Sequence, residues 1–393
     1  MKLTRVVVND LRVQELRRQD GRFGYTIVGP DGSLHALADG FLRGLDAGTA
    51  RTYGYLIVDH LRWLAREGLS PETASFRDVC RYMGAVGAEY AGPFGSPWRE
   101  GKKPYRQSTL DTAAAALKGF YLFQTSSLGI NKALGSELDG SRLPAKADRQ
   151  RAFLGHVLRE MPASPLRSKR RIRRHPKMTP AGARQALVEE FETARDKMVV
   201  TWLGDGGFRI GELTSLYLVD LHLRENAACG ECQAAHVHIC HREGNANGSR
   251  VKTKHDWFVE DGTVRGGAIR RASPAMIRTY FEYMTLEYPK DAVHGMLLVN
   301  LTGPTAGLPW TCNSARGLLR RASRRLGLGL VTPHQFRHDF GTATLHASGG
   351  NSVVARDAGG WASAKTVEET YGHADVDDPV LARALSTVWG ETP

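Results

Sequence analysis

Cysteine is scarce in this chain: five among 393 residues, at Cys80, Cys229, Cys232, Cys240 and Cys312. Five irregularly spaced thiols do not make a disulfide framework, so a reducing cytoplasm is the expected compartment. Long apolar runs are also missing, and no window approaches the roughly 18 uninterrupted apolar residues of a membrane helix. The opening MKLTRVVVNDLRVQ holds three consecutive valines before charge returns, which is not a signal-peptide pattern. There is no P-loop, no paired-carboxylate metal site, no internal repeat and no low-complexity tract outside one basic segment. Acid is in short supply: 41 Asp and Glu stand against 53 Lys and Arg, a net charge of +12 with a pI near 9.6. That balance points to a polyanionic partner. Between Arg142 and Lys177 twelve Lys and Arg face two acids, so ten of the twelve net charges sit in one stretch. It reads as a solvated basic loop or as a linker that tracks phosphates.

A chain of this length is expected to hold two or three domains. Residues 1–40 suggest short strands, Val6–Val8 and Tyr25–Val28, the second closed by Gly29-Pro30-Asp31-Gly32. They fit an accessory arm or a strand pair packed on the next domain. Residues 41–140 turn helical. Tyr53, Ile57, Leu61 and Leu64 give one apolar face, and Phe76, Val79, Met83 and Val86 a second, ended by Gly92-Pro93 and Pro97. Ser108 is expected to cap a third helix carrying Leu110, Ala114, Leu117 and Tyr121. Arg51, Arg62, Lys102, Lys103, Arg106 and Lys118 are candidates for phosphate contacts. Residues 141–178, broken by Pro144, Pro162, Pro165 and Pro176 and containing SKRRIRRH, form the basic linker, and 179–393 the last domain.

In that domain a helix is expected from Thr179-Pro180 through Leu187, Phe191 and Met198 to Trp202. Gly204, Gly206 and Gly207 then turn the chain, and Arg209 opens the next helix. Cys229-x-x-Cys232 with His236, His238, Cys240 and His241 supplies the ligand types of a zinc site. Yet HVHICHR alternates like a strand and sends odd and even residues to opposite faces, so a metal-free hairpin is the reading carried forward. Asn247-Gly248 is expected to turn that hairpin, with Val251–Val259 returning. Helices follow at Pro274–Tyr288 and Cys312–Leu326.

Thr332 to His373 is the densest stretch. Thr332, Pro333 and Gln335 mark a helix start with a capping box. His334 and Arg337 share a face three residues apart. Gly349-Gly350 end the helix, a short amphipathic segment (Val353, Val354, Ala358) leads to Gly359-Gly360 and Trp361, and Ser363 caps a last helical turn or two ending at Tyr371. An imidazole, a guanidinium and a phenol on short helices suit phosphoryl transfer to tyrosine.

H-x-x-R, a His or Trp after a glycine corner, and a tyrosine about ten residues on resemble the C-terminal signature of the tyrosine recombinases, the phage integrase family. GDGGFRIGELTSL (Gly204–Leu216) resembles its first arginine motif and SRVKTKH (Ser249–His255) its β-hairpin lysine. The resemblance covers roughly Thr179 onward. It implies a mainly α fold with a small β-sheet (α+β): a SAM-like helical core-binding domain and a catalytic domain, forming a C-clamp around DNA. It implies Arg209 and Arg337 as a clamp on the phosphate, whose paired N–H donors lysine cannot match, and Tyr371 as nucleophile, since Tyr280, Tyr283 and Tyr288 stand outside the motif. Lys252, with Lys254 as alternate, is implied as the general acid and His334 as an aid to proton transfer. Trp361 stands where His is commoner and would donate its indole N–H to a phosphate oxygen. Glu212 would buttress Arg209. The implied activity is site-specific recombination or integration for a mobile element, through a 3′-phosphotyrosine needing neither ATP nor metal, so no cofactor is expected. The implied partners are double-stranded DNA, a homotetramer on two sites and an accessory directionality factor, with no membrane. A type IB topoisomerase or a catalytically silent DNA-binding regulator are the alternatives.

Overall fold

The computed structural model describes residues 11–17, 23–87, 103–142, 161–162, 165–166, 176–252, 255–372, 386 and 388. The chain divides into two compact units, Met1–Arg173 and Arg174–Pro393. The expected strand Val6–Val8, the helix stop at Gly92-Pro93 and Pro97, Lys102, Lys254 and nearly all of the basic stretch lie outside the described residues.

The first unit opens with an antiparallel hairpin, β1 (Arg12–Arg17) and β2 (Phe23–Val28), in the register Arg12↔Val28. It is no free extension: Ile27 is fully buried in the helical core, Thr26 donates to Asp39 at 2.7 Å, and Arg62 donates to the Leu11 carbonyl at 2.6 Å. Arg62, a candidate for DNA contact, is thus committed to holding the hairpin. Helices α1 (Ala36–Arg43), α2 (Ala47–Arg66), α3 (Phe76–Val86), α4 (Gln107–Leu128) and α5 (Lys132–Leu138) follow. The expected faces of α2 and α3 meet around Trp63, Tyr82, Phe120 and Tyr121. Ser75 and Asp78 form a capping box on α3, and Gly87 ends that helix. Helix α4 begins earlier than Ser108, with Arg106 at its N-cap. The cause lies one residue back: Tyr105 donates its amide to the Val86 carbonyl at 2.6 Å and its hydroxyl to Asp59, which fixes where the helix enters. Two pieces of the basic stretch belong to this unit, since β3 (Ser141–Arg142) pairs with β4 (Met161–Pro162) and Leu166 joins the core.

The second unit starts with α6 (Ala183–Glu190) and α7 (Ala194–Gly206), where one continuous helix was expected. Phe191 is extended (ψ 132°), and the Thr193 side chain caps the amide of Asp196, so the N-cap bond restarts the helix after a corner. Helix α8 (Ile210–Thr214) leads to a three-stranded antiparallel sheet ordered β5 (Leu221–His222), β6 (His236–Ile239), β9 (Ala268–Arg271), beside a separate hairpin, β7 (Trp257–Glu260) and β8 (Thr263–Gly266). Asn247-Gly248 is not the hairpin turn. Asn247 instead donates to the Thr214 and Trp310 carbonyls, each at 2.7 Å, pinning its loop to the core. The tight turn is Asp261-Gly262, both at positive φ (49° and 72°) as a two-residue type I′ loop requires. The returning strand accordingly pairs with β8 and not with β6.

Helices α9 (Pro274–Leu286), α10 (Cys312–Arg325), α11 (Pro333–Ala347), α12 (Ser352–Gly359) and α13 (Ala364–Tyr371) complete the unit. Gln335 accepts the Thr332 amide at 2.7 Å, as the capping box requires. Within α12 the expected inner face is rotated: Ala355 and Gly359 are buried while Val353 and Val354 are about half exposed. Trp202, fully buried with its indole donating to the Met276 carbonyl at 3.0 Å, anchors the core. Among the described residues no helix is long and apolar enough to cross a membrane.

Candidate active site

Helix α7 stops at Gly207, whose φ of +56° is one that L side chains rarely adopt, and where a Cβ would stand 2.4 Å from the Phe340 ring. The corner this glycine permits does two things. Its carbonyl accepts from Arg337 Nη1 at 2.6 Å, and Arg209 falls at the N-cap of α8. One turn on, Glu212 is 2 % exposed. It accepts the Arg209 amide at 2.9 Å, pairs with the Arg209 guanidinium, and holds Oε2 3.9 Å from Arg337 Nη1. A single buried carboxylate therefore faces the guanidinium groups of both expected arginines.

Arg337 is 1 % exposed. Burial first, then the charges of Arg209 and Arg270 against the attraction of Glu212, hold its pKa down to about 10, so it is still a cation at neutral pH. Its guanidinium lies 4.2 Å over the Trp361 ring, and Nη2 has no hydrogen-bond partner among the described residues. A buried cationic donor with an unmet bond is a receptor for an anion.

Trp361 is 8 % exposed. Its ring lies beneath Arg337 and meets Tyr371 edge-on at 5.4 Å, so one indole touches both the guanidinium and the phenol. Tyr371, at the end of α13, is 5 % exposed. Its ring rests on the backbone of α11 because residue 341 is glycine; a Cβ there would come within 2.8 Å of the tyrosine ring. Burial pushes the phenol up from its ordinary pKa, while the Arg337 charge, the Trp361 indole N–H and the Arg209 charge pull it back. The resting hydroxyl is protonated and needs an acceptor.

That acceptor went unremarked in the sequence. His338 Nδ1 lies 3.1 Å from the Tyr371 hydroxyl, and its ring meets that of His334 at 4.3 Å. Burial, then His334 and Arg337, hold its pKa to about 4, so it is neutral and free to accept. The available signal was its place one helical turn beyond His334. His334 is solvent-exposed; desolvation, then the charges of Arg337, Arg209 and Lys252, hold it below its usual pKa. Lys252 is exposed, in the loop ahead of β7 and not on a hairpin tip, with its charge felt at His334.

A third arginine, Arg270 on β9, was also missed. It is 3 % exposed, donates to the Gly359 carbonyl at 2.5 Å, and sits where Glu212 and Arg209 both act on it. In sequence it is one cation among RGGAIRRAS, and only strand pairing turns it inward. On α10, Arg320, Arg321, Arg324 and Arg325 line one cleft, with Arg325 paired to Glu190 at 2.6 Å.

Residues 182–377 match the model of the phage integrase family. Transposase A from transposon Tn554 of Staphylococcus aureus is 25% identical over 192 residues, covering 49% of this chain and 47% of that protein. The chain thus spans about half the length of that curated relative. Tyrosine recombinase XerC of Roseiflexus sp. is 24% identical over 289 residues, 73% of this chain and 75% of the other. Among solved structures, the Tn1549 transposon integrase in complex with transposon right-end DNA has a similar fold, with TM-score 0.52 and 15% identity over 90% of this chain and 98% of that one. With the family match spanning every residue from Arg209 to Tyr371, this chain belongs to the phage integrase family, the tyrosine recombinases.

Proposed function

We propose that this protein is a site-specific recombinase of a transposon-like mobile element, which breaks and rejoins double-stranded DNA through a covalent 3′-phosphotyrosine on Tyr371. The observation that carries the reading is the buried guanidinium of Arg337: Nη1 faces Glu212, the group lies over Trp361, its charge acts on the Tyr371 phenol, and Nη2 has no hydrogen-bond partner among the described residues. In the proposed reaction the scissile phosphate sits against Arg337 and Arg209, whose N–H groups bind its non-bridging oxygens. Charge gathers there as the phosphorus becomes five-coordinate, and donors already in place lower the barrier. The Tyr371 hydroxyl attacks as its proton leaves toward His338 or a phosphate oxygen. Lys252, or Lys254, protonates the departing 5′-oxygen. His334, uncharged at neutral pH, hydrogen-bonds the phosphate. The energy of the broken ester is kept in the phosphotyrosine, so the reverse attack by a 5′-hydroxyl reseals DNA without ATP.

The first unit and the basic stretch are proposed to grip the DNA backbone, with four copies acting on two duplexes and a directionality factor biasing the outcome. A soluble, cytoplasmic protein is the corresponding expectation. Binding then weakens steeply with salt, because each neutralised phosphate releases counterions.

The test is a nicked duplex spanning the junction of the element that encodes the protein. Wild type should leave a denaturant-resistant, protease-sensitive protein–DNA adduct on the 3′ end of the broken strand, and Tyr371→Phe should bind the duplex with no adduct. An adduct that survives that change moves the nucleophile elsewhere. No adduct with wild type on a bound duplex supports a silent regulator, and monomeric relaxation of supercoils without site preference supports a topoisomerase.

A further inference from the structure

Away from the arginines, His222, Cys229, His236 and His238 bring one ligand atom each to within 4.8 Å of one another. His222 comes from β5 and is in register with His236 on β6. His238 lies two residues along the same strand, so the period of a strand puts both β6 histidines on one face. Val237 and Ile239 take the other face into the core. Cys229, 1 % exposed, enters from the loop between β5 and β6. The alternation that seemed to separate the ligands therefore gathers them. The C-x-x-C spacing is the misleading signal, since the cluster takes Cys229 without Cys232.

The hydrogen bonds around the cluster fix where its protons are. His236 Nδ1 lies 2.7 Å from the Ala234 carbonyl and His238 Nδ1 2.7 Å from the Gly266 carbonyl. A carbonyl only accepts, so each Nδ1 carries the proton and each Nε2 turns a lone pair inward. Those two Nε2 atoms are 3.1 Å apart, and the Cys229 Sγ is 3.2 Å from the first. His222 Nε2 is buried with no hydrogen-bond partner among the described residues. The lone thiol proton of Cys229 can serve one of these nitrogens and not three. Converging lone pairs need a cation.

We infer that His222, Cys229, His236 and His238 bind one Zn²⁺ ion in a closed, structural site. One thiolate and three imidazoles suit borderline-soft zinc and contain none of the oxygen ligands that calcium or magnesium require. Bonds of about 2.0–2.1 Å to nitrogen and about 2.3 Å to sulfur place the ligand atoms of a one-sulfur, three-nitrogen tetrahedron roughly 3.3–3.6 Å apart. The separations here bracket that range, so small side-chain shifts complete the shell. On binding, the Cys229 thiol gives its proton to solvent and the ion takes its place. Four protein ligands leave no open position, so the ion does no chemistry on DNA. It staples β5, the Cys229 loop and β6 together. Because Val237 on β6 pairs with Arg270 on β9, the staple lies one strand from the arginine that holds Gly359. This inference stands apart from the recombinase reading, because metal content is measured without DNA.

The test is metal analysis of the full-length, tag-free protein by mass spectrometry, with Co²⁺ substitution as a second readout. Wild type and Cys232→Ser should each carry about one zinc per chain, and Cys229→Ser and His236→Asn should lose about tenfold or more. Co²⁺-loaded wild type should show tetrahedral d–d bands and a thiolate charge-transfer band that Cys229→Ser removes. If the variants fail to fold, the cobalt spectrum of wild type decides alone. Sub-stoichiometric zinc after loading, zinc content unchanged in Cys229→Ser, or a cobalt spectrum without thiolate charge transfer each overturns the site.

Discussion

The molecule contains the same pair of side chains twice, in opposite surroundings. In the first unit His60 Nε2 meets the Tyr121 hydroxyl at 2.6 Å, rings 5.7 Å apart. In the second, His338 Nδ1 meets the Tyr371 hydroxyl at 3.1 Å, rings again 5.7 Å apart. Around Tyr121 are Trp63, Tyr82 and Phe120, and burial with the distant charges of Glu72 and Asp78 pushes its phenol up. Around Tyr371 burial also pushes up, but Arg337 and Arg209 oppose it. A histidine beside a tyrosine is thus a core hydrogen bond in one place and a candidate nucleophile in the other. What separates them is cationic charge, together with an Arg337 nitrogen that has no hydrogen-bond partner among the described residues. A second pair of sites repeats the lesson: Arg81 lies 5.5 Å over Trp63 at the surface with Glu67 and Asp78 answering its charge, whereas Arg337 lies 4.2 Å over Trp361 with Nη2 unanswered.

The sharpest break between the two tyrosines is removal of a single oxygen. Tyr371→Phe should reduce adduct formation on the nicked junction duplex to background. Tyr121→Phe should leave adduct formation per folded molecule unchanged and cost about 1–3 kcal/mol of stability, because it strands the buried His60 nitrogen. Equal effects on cleavage from both changes would end the comparison.

Next in size are the arginines. Arg337→Lys keeps a charge but loses the fork that holds Gly207 and faces the proposed phosphate, and should slow single-turnover cleavage about a hundredfold or more with modest loss of DNA affinity. Arg209→Lys should behave similarly. Arg81→Lys, over its own tryptophan, should leave cleavage unchanged, since exposed pairs contribute little. His338→Gln is expected to follow, at roughly tenfold, because glutamine can still hydrogen-bond the phenol but cannot hold its proton. A full rate in His338→Gln would give the proton to phosphate alone.

These contrasts also show what the sequence made legible. The helical faces of α2 and α3 and the capping box at Thr332 were readable because caps and periodicity are local, whereas Arg209, Arg337, Trp361 and Tyr371 were expected together only through the resemblance to the tyrosine recombinases. Arg270, Glu212 as the carboxylate shared by both arginines, and the union of His222 with Cys229 were not readable, because each depends on which strands pair or which helices touch. His338 was readable in position and missed in role: its spacing from His334 was visible, but the arrival of Tyr371 on α13 was not. Asn247-Gly248 misled for the same reason. Turn chemistry names a turn without naming the strands it joins, and the Asp261-Gly262 signal, equally plain, belonged to the hairpin that forms.

The smallest effect is a pH dependence that tells the two histidines apart by stability alone. Burial holds His60 down to about 3, against an unfolded value near 6.5. Its folded pKa lies below its unfolded one, so the unfolded chain takes up the proton first. Stability is therefore complete above about pH 6.5 and falls as pH drops through the window toward 3, with a slope of up to about 1.4 kcal/mol per pH unit. His60→Gln keeps a partner for Tyr121 but cannot titrate, and should flatten that contribution. Hydrogen exchange of the α2 and α4 amides at pH 7.5 and 5, with intrinsic rates corrected, isolates the first unit. Wild-type protection should fall more than that of His60→Gln. His338 sits beside solvent-exposed His334, where water shares the cost of charging it, so His338→Gln should change the pH dependence of α11 exchange by less. A larger change in α11 than in α2 would mean that the second pair is the drier of the two, contrary to the burial on which the comparison rests.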